Sequence, residues 1–142
     1  MTRSIDDLLA TARARLDRVD PHRAAALLAD GARLVDTRPE WQRAREGGFP
    51  DALAIERNHL EWRLDPTSAA RVAEAVDHDV LWIIACSEGY SSSLAAASLQ
   101  DLGLHRATDL DGGFHAWRTA GLPVLRSAQP RAEPATPVPD TR

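Results

Sequence analysis

Cys86, the only cysteine of the chain, stands where a buried strand is expected to meet a helix. The apolar run 80–85 precedes it, a loop of small polar residues follows, and the alanine-rich run 93–100 then predicts a helix. A helix N-terminus and a ring of backbone N–H groups both favour the thiolate, the nucleophilic form of cysteine. In such settings the pKa of a thiol falls from about 8.5 to roughly 3.5–7.5. The sequence therefore predicts a nucleophilic Cys86 rather than an inert buried one.

Strands and helices alternate along the chain that must position this thiol. Predicted strands cover residues 33–36, 52–55, 80–85 and 107–110, and predicted helical segments cover residues 4–19, 21–28, 40–45, 58–62, 65–76, 93–103 and 114–120. This alternation predicts an α/β domain with a mainly parallel central sheet flanked by helices. Open folds of this class build their sites just past the carboxyl ends of the strands, which is where Cys86 lies.

The chain divides into three parts by composition. Residues 1–19 are predicted to be an N-terminal helical extension, residues 20–126 the α/β domain, and residues 127–142 a proline-rich disordered tail. The extension either packs on the domain or presents a surface to a partner. A chain of 142 residues is long enough for one domain to bury its own core without disulfides or metal.

Composition argues against several functions. The net charge of −4 disfavours a nucleic-acid partner, because phosphate contacts need a basic surface. The chain has no lysine, which excludes Schiff-base chemistry on that residue. One cysteine and five histidines without ligand spacing predict no metal site. No apolar window approaches the length of a membrane span and no leader-like segment is found, so we expect no membrane partner and a cytoplasmic location.

Cysteine hydrolases pair the thiol with a histidine, and the loop after Cys86 contains none. His59 and His115 are the only candidates, and the fold would have to bring one of them to Cys86 from elsewhere in the chain. The protease or amidase interpretation therefore stays an alternative that the spacing of the residues does not support.

Three patterns occur in order around this loop. They are LVDTR at residues 34–38 with GFPDA at 48–52, CSEGYSS at residues 86–92, and LDGGFHAW at residues 110–117 with GLPV at 121–124. Together they resemble the signatures of the rhodanese family of sulfurtransferases, and the resemblance covers residues 21–124. It implies a rhodanese-like three-layer domain whose active-site loop starts at Cys86.

The resemblance also implies a sulfur relay. The Cys86 thiolate would take the sulfane sulfur of thiosulfate or of a persulfide and carry it as a cysteine persulfide. A thiophilic acceptor such as cyanide, a thiol or an acceptor protein would then remove the outer sulfur, without any cofactor. Inward backbone amides would stabilise the anionic persulfide, and Gly89 would permit the curvature. The expected substrate-binding residues of the loop are Ser87, Glu88, Gly89, Tyr90, Ser91 and Ser92.

The loop departs from thiosulfate-active relatives in its charge. Many of them carry cations directly after the cysteine and near the end of the loop, where this chain has Ser87 and Ser91. Glu88 adds a negative charge, which raises the pKa of a neighbouring thiol and repels a dianion. We therefore expect thiosulfate to be a poor donor.

Four charged residues outside the loop are also expected near the site. Arg57 and Arg63 flank the helical turn after the second strand, and they are candidates to return positive charge to the mouth of the site. Their alternative role is that of solvated surface arginines. Asp36 and Arg38 end the first strand, and we expect them to form a structural ion pair next to the site rather than to act in the chemistry.

Two further alternatives come from other classes of protein. A cysteine phosphatase needs an arginine six positions after the cysteine to grip phosphate bidentately, and Ser92 occupies that position here. A catalytically weak rhodanese-like module that binds a partner or senses sulfur also fits the uncharged loop. The pKa of Cys86 separates this second alternative from an active enzyme.

Overall fold

A sheet of four parallel strands forms the centre of the computed structural model, which describes residues 2–126 and 133–135. The strands are β1 (Arg33–Asp36), β2 (Leu53–Ala54), β3 (Trp82–Ala85) and β4 (Thr108–Asp109), in the spatial order β2-β1-β3-β4. The two central strands pair along their whole length, and Asp36 lies opposite Ala85. The segments that follow these two residues therefore leave the sheet side by side, at its carboxyl edge.

Helices connect the strands, and local signals mark where the first ones begin. The helices are α1 (Ile5–Ala14), α2 (Pro21–Ala29), α3 (Glu40–Glu46), α4 (Leu60–Leu64), α5 (Ser91–Asp101) and α6 (Gly113–Thr119), with a 3-10 turn at Arg57–His59 that leads into α4. Ser4 and Asp7 form a reciprocal capping box at the start of α1. Asp20 caps α2 by accepting the N–H of Arg23 at 2.8 Å, just before Pro21.

Two apolar layers cover the two faces of the sheet, because successive side chains of a strand point to opposite faces. Trp82 and Ile84 pack with residues of α4 and α5 on one face. Ile83 and Ala85 pack with residues of α2 and α6 on the other. The predicted α/β domain, with a mainly parallel sheet flanked by helices in three layers, is thereby confirmed.

The predicted helix at residues 65–76 is wrong, because this segment forms consecutive turns. The Asp65 carboxylate accepts the backbone N–H and the hydroxyl of Thr67, each at 2.8 Å. The Ser68 hydroxyl oxygen accepts the N–H of Ala70 at 3.0 Å. Such local side-chain bonds compete with the helical backbone. The apolar residues that suggested a helix still reach the core, where Val72 is fully buried.

The predicted helix at residues 4–19 ends earlier than expected, at Ala14. The chain then runs along the end of β4, where the N–H of Val19 donates to the Asp109 carbonyl at 3.2 Å and the Val19 carbonyl accepts the N–H of Asp111 at 2.8 Å. Helix α1 itself packs against α5. The extension therefore packs on the domain, close to the helix that follows Cys86.

The predicted disordered tail at residues 127–142 lies outside the described residues, except for residues 133–135. There the Glu133 carboxylate lies 2.7 Å from Nδ1 of His59 and 3.5 Å from Nε of Arg63. This short piece of the C-terminal segment therefore contacts the 3-10 turn and α4.

Candidate active site

Cys86 begins the loop that joins β3 to α5, and this loop folds back over its sulfur. The residue is 7% exposed, and the N–H of Gly89 donates to Sγ at 3.2 Å. Gly89 has φ +88°, a backbone conformation that favours glycine. A Cβ at this position would lie 2.8 Å from the backbone nitrogen of Gly112. Both conformation and space therefore require glycine at the turn that presents its N–H to the sulfur.

The surroundings of Cys86 favour its thiolate. Burial raises the pKa of Cys86, but the hydrogen-bonding groups of Ser92, Ser91 and Gly89 around the sulfur outweigh it. The pKa of the thiol therefore lies below its ordinary value. The sulfur also lies at the N-terminal end of α5, whose dipole stabilises a negative charge. Because the thiolate is the reactive form, Cys86 is placed to act as a nucleophile.

The first turn of α6 supports the loop through its backbone. The N–H of Phe114 donates to the Cys86 carbonyl at 2.8 Å, and the N–H of His115 donates to the Ser87 carbonyl at 3.0 Å. Gly113 has φ +62°, and a Cβ on it would lie 2.5 Å from the Cys86 carbonyl oxygen. The absence of a side chain at Gly113, the first residue of α6, therefore lets the helix approach the loop closely enough to bind it.

A cavity of about 330 Å³ opens in front of Cys86, a volume that suits a small molecule. Its walls include the loop residues Ser87, Glu88, Tyr90 and Ser91, and also Arg38, Gln42 and Arg57. The remaining loop residues of the sequence prediction, Gly89 and Ser92, contact the sulfur from inside the loop instead. The predicted loop residues are thus brought together around one sulfur and one cavity.

Asp36 and Arg38 form a nearly fully buried ion pair beside this cavity. Nη2 of Arg38 lies 2.7 Å from Oδ2 of Asp36, and Nε lies 2.9 Å from Oδ1. Arg38 also donates to Glu46 at 3.1 Å, and its guanidinium lies 4.3 Å from the centre of the Phe114 ring. Burial lowers the pKa of Arg38, but the bonds and charges of Asp36 and Glu46 raise it overall. Arg38 therefore faces the cavity with its charge already compensated.

Helix α3 contributes Gln42 and Glu46, which the sequence analysis did not identify. The Ser87 hydroxyl donates to Oε1 of Glu46 at 2.7 Å and accepts from Nε2 of Gln42 at 2.6 Å. The spacing of Gln42 and Glu46, four residues apart on one helix face, was the available signal. The Ser87 side chain is therefore bonded to α3, and its hydroxyl proton is directed away from the sulfur.

The two predicted arginines of the cavity mouth have different positions. Arg57 lines the cavity, and its Nη1 lies 2.8 and 2.9 Å from the two carboxylate oxygens of Glu61, one helical turn further on. Arg63 is not among the cavity walls. Its Nη1 donates to the Ala70 carbonyl at 2.8 Å, beneath the turns that replace the predicted helix. Arg63 therefore lies away from the cavity walls, because α4 directs it toward those turns.

The histidines considered for a cysteine hydrolase lie near carboxylates outside the cavity. Nδ1 of His59 lies 2.7 Å from the Glu133 carboxylate, and Nε2 of His115 lies 3.8 Å from the Glu46 carboxylate. Neither histidine lines the cavity in front of Cys86. Within residues 2–126 and 133–135, the structure thus gives no support to a cysteine–histidine pair.

Over the described part of the chain, no three or more histidine, cysteine, aspartate or glutamate side chains are grouped so that they could hold a metal ion. None of the helices described there has both the length and the apolar character needed to cross a membrane.

Two arginines of the N-terminal extension contact the outer side of the Cys86 loop. Nη2 of Arg13 donates to the Gly89 carbonyl at 2.7 Å, and Nη2 of Arg18 donates to the same oxygen at 2.9 Å. Arg18 also forms a bidentate ion pair with the buried Asp109. These contacts join residues 76 and 71 positions apart, and no local pattern in the sequence marks them.

Comparison with known families confirms the resemblance seen in the sequence. The family model of the rhodanese-like domain matches residues 20–120. The thiosulfate sulfurtransferase GlpE of Pseudomonas syringae is 36% identical over 104 residues, which are 72% of this chain and 87% of that protein. GlpE of Pseudomonas entomophila is 34% identical over 102 residues, which are 72% of this chain and 84% of that protein.

Solved structures show the same fold. A protein of unknown function and possible tyrosine phosphatase from Rhodopseudomonas palustris has a TM-score of 0.78 and 32% identity, covering 87% of this chain and 96% of that one. The human single-domain sulfurtransferase has a TM-score of 0.61 and 26% identity, covering 72% of this chain and 95% of that one.

Proposed function

This chain belongs to the rhodanese-like domain family and is a sulfurtransferase, and we propose that Cys86 carries the transferred sulfur as a persulfide. The observation that carries this proposal is the environment of one buried sulfur. The N–H of Gly89 donates to Sγ, the pKa of the thiol is lowered, and a cavity opens beside it. These features favour an attacking thiolate, and the same donors stabilise the anionic persulfide that it becomes.

The transfer has two half-reactions, both centred on Cys86. In the first, the thiolate attacks the sulfane sulfur of the donor, a new S–S bond forms, and the S–S bond of the donor breaks. The leaving group takes the electron pair of the broken bond, as sulfite from thiosulfate or as a thiolate from an organic persulfide. In the second, a nucleophilic acceptor attacks the outer sulfur and releases the Cys86 thiolate. Cyanide, a small thiol or a cysteine of an acceptor protein are the proposed acceptors.

The charges around the cavity favour an organic persulfide over thiosulfate as the donor. Arg38 is paired with Asp36, and Arg57 is paired with Glu61, so the cations that line the cavity are compensated. The exposed Glu88 adds a negative charge at the mouth. A dianion therefore meets little net positive charge there, whereas a monoanionic persulfide meets less repulsion. The Pseudomonas relatives are named for thiosulfate, which makes it the reference donor for a test.

A reducing compartment suits this chemistry, and we place the enzyme in the cytoplasm. The thiolate is the reacting form of Cys86, and a reducing compartment keeps a reactive thiol in its reduced state. The lowered pKa of Cys86 increases its susceptibility to oxidation.

Phosphatase chemistry, the possible activity of the Rhodopseudomonas palustris protein, fits the Cys86 loop poorly. The position six residues after Cys86 would need an arginine that grips phosphate. Ser92 occupies that position, and its hydroxyl donates to the Asp109 carboxylate at 2.7 Å. We therefore keep sulfur transfer as the proposed chemistry of this site.

The test is the intact mass of the reduced protein after exposure to thiosulfate and, separately, to an organic persulfide. We expect the wild-type chain to gain one sulfur atom, faster from the persulfide than from thiosulfate, and cyanide to remove it. The Cys86→Ser variant is the control, and it should gain none.

Failure of both donors to add sulfur would overturn the proposed role of Cys86 and favour a binding or sulfur-sensing module. Faster loading from thiosulfate would contradict the proposed preference for an organic persulfide while leaving the relay intact.

A further inference from the structure

The carbonyl of Gly89 accepts two guanidinium groups at once, and both come from outside the residues that match the family. Arg13 lies on α1 and Arg18 lies between α1 and α2, whereas the family match begins at residue 20. Their Nη2 atoms lie 2.7 and 2.9 Å from the Gly89 oxygen. A carbonyl that accepts two cationic donors is held firmly in one direction.

The direction of this carbonyl determines the direction of a loop N–H. In a trans peptide the C=O and N–H groups point to opposite sides, and the structure contains no cis peptide bond over its described residues. The Gly89 carbonyl points outward to the arginines, so the N–H of Tyr90 points away from them. On the other side of Gly89, its own N–H donates to Sγ of Cys86. Fixing the one carbonyl therefore orders the turn that surrounds the sulfur.

Both arginines are themselves anchored. Arg18 binds the fully buried Asp109 through Nε at 2.8 Å and Nη2 at 3.1 Å. Asp109 also accepts the hydroxyls of Ser92 and Ser93, at 2.7 and 2.8 Å, from the first turn of α5. Nε of Arg13 donates to Ser93 at 3.1 Å. The arginines, the aspartate and the start of α5 thus form one hydrogen-bonded network behind the Cys86 loop.

This network supplies cations where the loop has none. Asp109 and Asp111 both pair with Arg18, whereas Arg13 bonds the neutral Gly89 carbonyl and Ser93 hydroxyl and so keeps its positive charge on the outer side of the loop. Burial lowers the pKa of Arg18, but Asp109 and Asp111 raise it overall, and the negative charge of the Cys86 thiolate adds a smaller contribution in the same direction. The position of the charge therefore suits a sulfur anion in the loop.

We propose that Arg13 and Arg18 are positioning residues of the Cys86 site, which rests on the proposed function. They hold the Gly89 carbonyl outward, keep the N–H groups of the loop directed at the sulfur, and stabilise its anion from behind. The N-terminal extension is in this way part of the active site. It takes the place of the arginines that many relatives carry within the loop.

The test is the pH dependence of alkylation of Cys86 by iodoacetamide, followed by intact mass in the absence of any sulfur donor. The charged and titratable groups around the loop are Arg13, Arg18, Asp109, Asp111, Glu46, Arg38, Arg57, Glu88 and His115. Arg13→Gln removes one cation without leaving a buried carboxylate unpaired. Arg13→Lys keeps the charge, and Arg15→Gln is the matched control.

The control, Arg15→Gln, removes a cation of the same segment. Arg15 pairs with Asp101 on the surface, away from the loop. We expect Arg13→Gln to raise the midpoint of alkylation by about 0.5 pH unit, and so to slow alkylation below the midpoint about threefold. Arg13→Lys should restore most of this rate, and Arg15→Gln should match wild type. Arg18→Gln should shift the midpoint of alkylation at least as far. If this variant does not fold, the two Arg13 variants test the proposal without it.

An Arg13→Gln midpoint equal to that of Arg15→Gln would overturn the proposal, as would a shift that Arg13→Lys leaves unrescued. Failure of the proposed function would look different, because wild type would then gain no sulfur although its alkylation midpoint still responded to Arg13.

Discussion

At the scale of single residues, Glu46 connects the Cys86 loop to the neighbouring strand and helix. Its carboxylate accepts the Ser87 hydroxyl at 2.7 Å, the Arg38 guanidinium at 3.1 Å and the Gln42 amide at 3.2 Å. Burial raises the pKa of Glu46, but these three donors lower it overall. A carboxyl with a lower pKa in the folded state stabilises the fold above its unfolded pKa, and this stabilisation is lost as the pH falls through the folded pKa.

Replacing Glu46 by glutamine tests whether its carboxylate stabilises the fold above the unfolded pKa. Glu46→Gln should lower the free energy of unfolding by about 1–3 kcal/mol near neutral pH, because the buried donors lose a charged acceptor. Wild type should lose this advantage as the pH falls below about 4.3, the pKa of an unfolded glutamate. Urea unfolding across this range measures both effects, with Glu40→Gln, an exposed residue of the same helix, as control. Parallel pH curves for Glu46→Gln and wild type would contradict the assignment.

At the scale of elements, the approach of α6 to the β3–α5 loop depends on the absence of a side chain. Gly113 starts α6 with φ +62°, and a Cβ there would meet the Cys86 and Ser87 backbone at 2.5 and 2.6 Å. Gly121 follows α6 with φ +81°, and a Cβ there would meet nothing within 4 Å. The two glycines share the strained backbone region but differ in the space around them, so they separate conformational strain from steric overlap.

Replacing Gly113 and Gly121 by alanine, one at a time, measures the two effects separately. Gly121→Ala should cost about 1–2 kcal/mol of stability, the usual cost of a left-handed alanine. Gly113→Ala should cost about 1–3 kcal/mol more from overpacking, and it should also slow the sulfur loading of Cys86 because the loop must move. Urea unfolding and intact mass after persulfide exposure measure the two effects. Equal losses for both variants would mean that α6 adjusts without disturbing the loop.

At the scale of the whole molecule, the N-terminal extension and the end of the sheet form one folded unit. The Arg18–Asp109 pair lies between them, with the Asp109 side chain fully buried and the Arg18 side chain 17% exposed. The backbone bonds of Val19 on either side of Leu110 continue the same connection. Removing one partner of a buried pair costs more than the pair itself contributes, because it leaves a charge without its counter-ion.

A double-mutant cycle measures the coupling between Arg18 and Asp109. Arg18→Gln should cost about 3–5 kcal/mol, and combining it with Asp109→Asn should recover part of that loss. The surface pair Arg15–Asp101, at 2.7 Å, provides the matched cycle and should show a coupling of at most about 1 kcal/mol. Thermal or urea unfolding gives each value. Additive losses for Arg18 and Asp109 would contradict a direct coupling between the extension and β4.

Local patterns in the sequence were enough to predict the central strands, the helix after Cys86 and the position of the cysteine between them. These features rest on local signals, such as the apolar run before Cys86, the caps at Ser4 and Asp20, and the glycines before Phe114. The prediction of a helix at residues 65–76 also rested on a local signal, and it was wrong. Its apolar spacing was local evidence, but side-chain bonds of Asp65 and Ser68 formed turns instead.

The distribution of charge around Cys86 depends on contacts between segments that are far apart in the chain. The folded chain brings Arg13 and Arg18 to the outer side of the loop, although they lie 76 and 71 positions from Gly89 along the chain. The periodicity of a segment reports which face of it is buried, since that depends on neighbours a few residues away. The partner of a long arginine depends on which distant segment packs beside it. Such contacts exist only once the sheet and its helices have assembled.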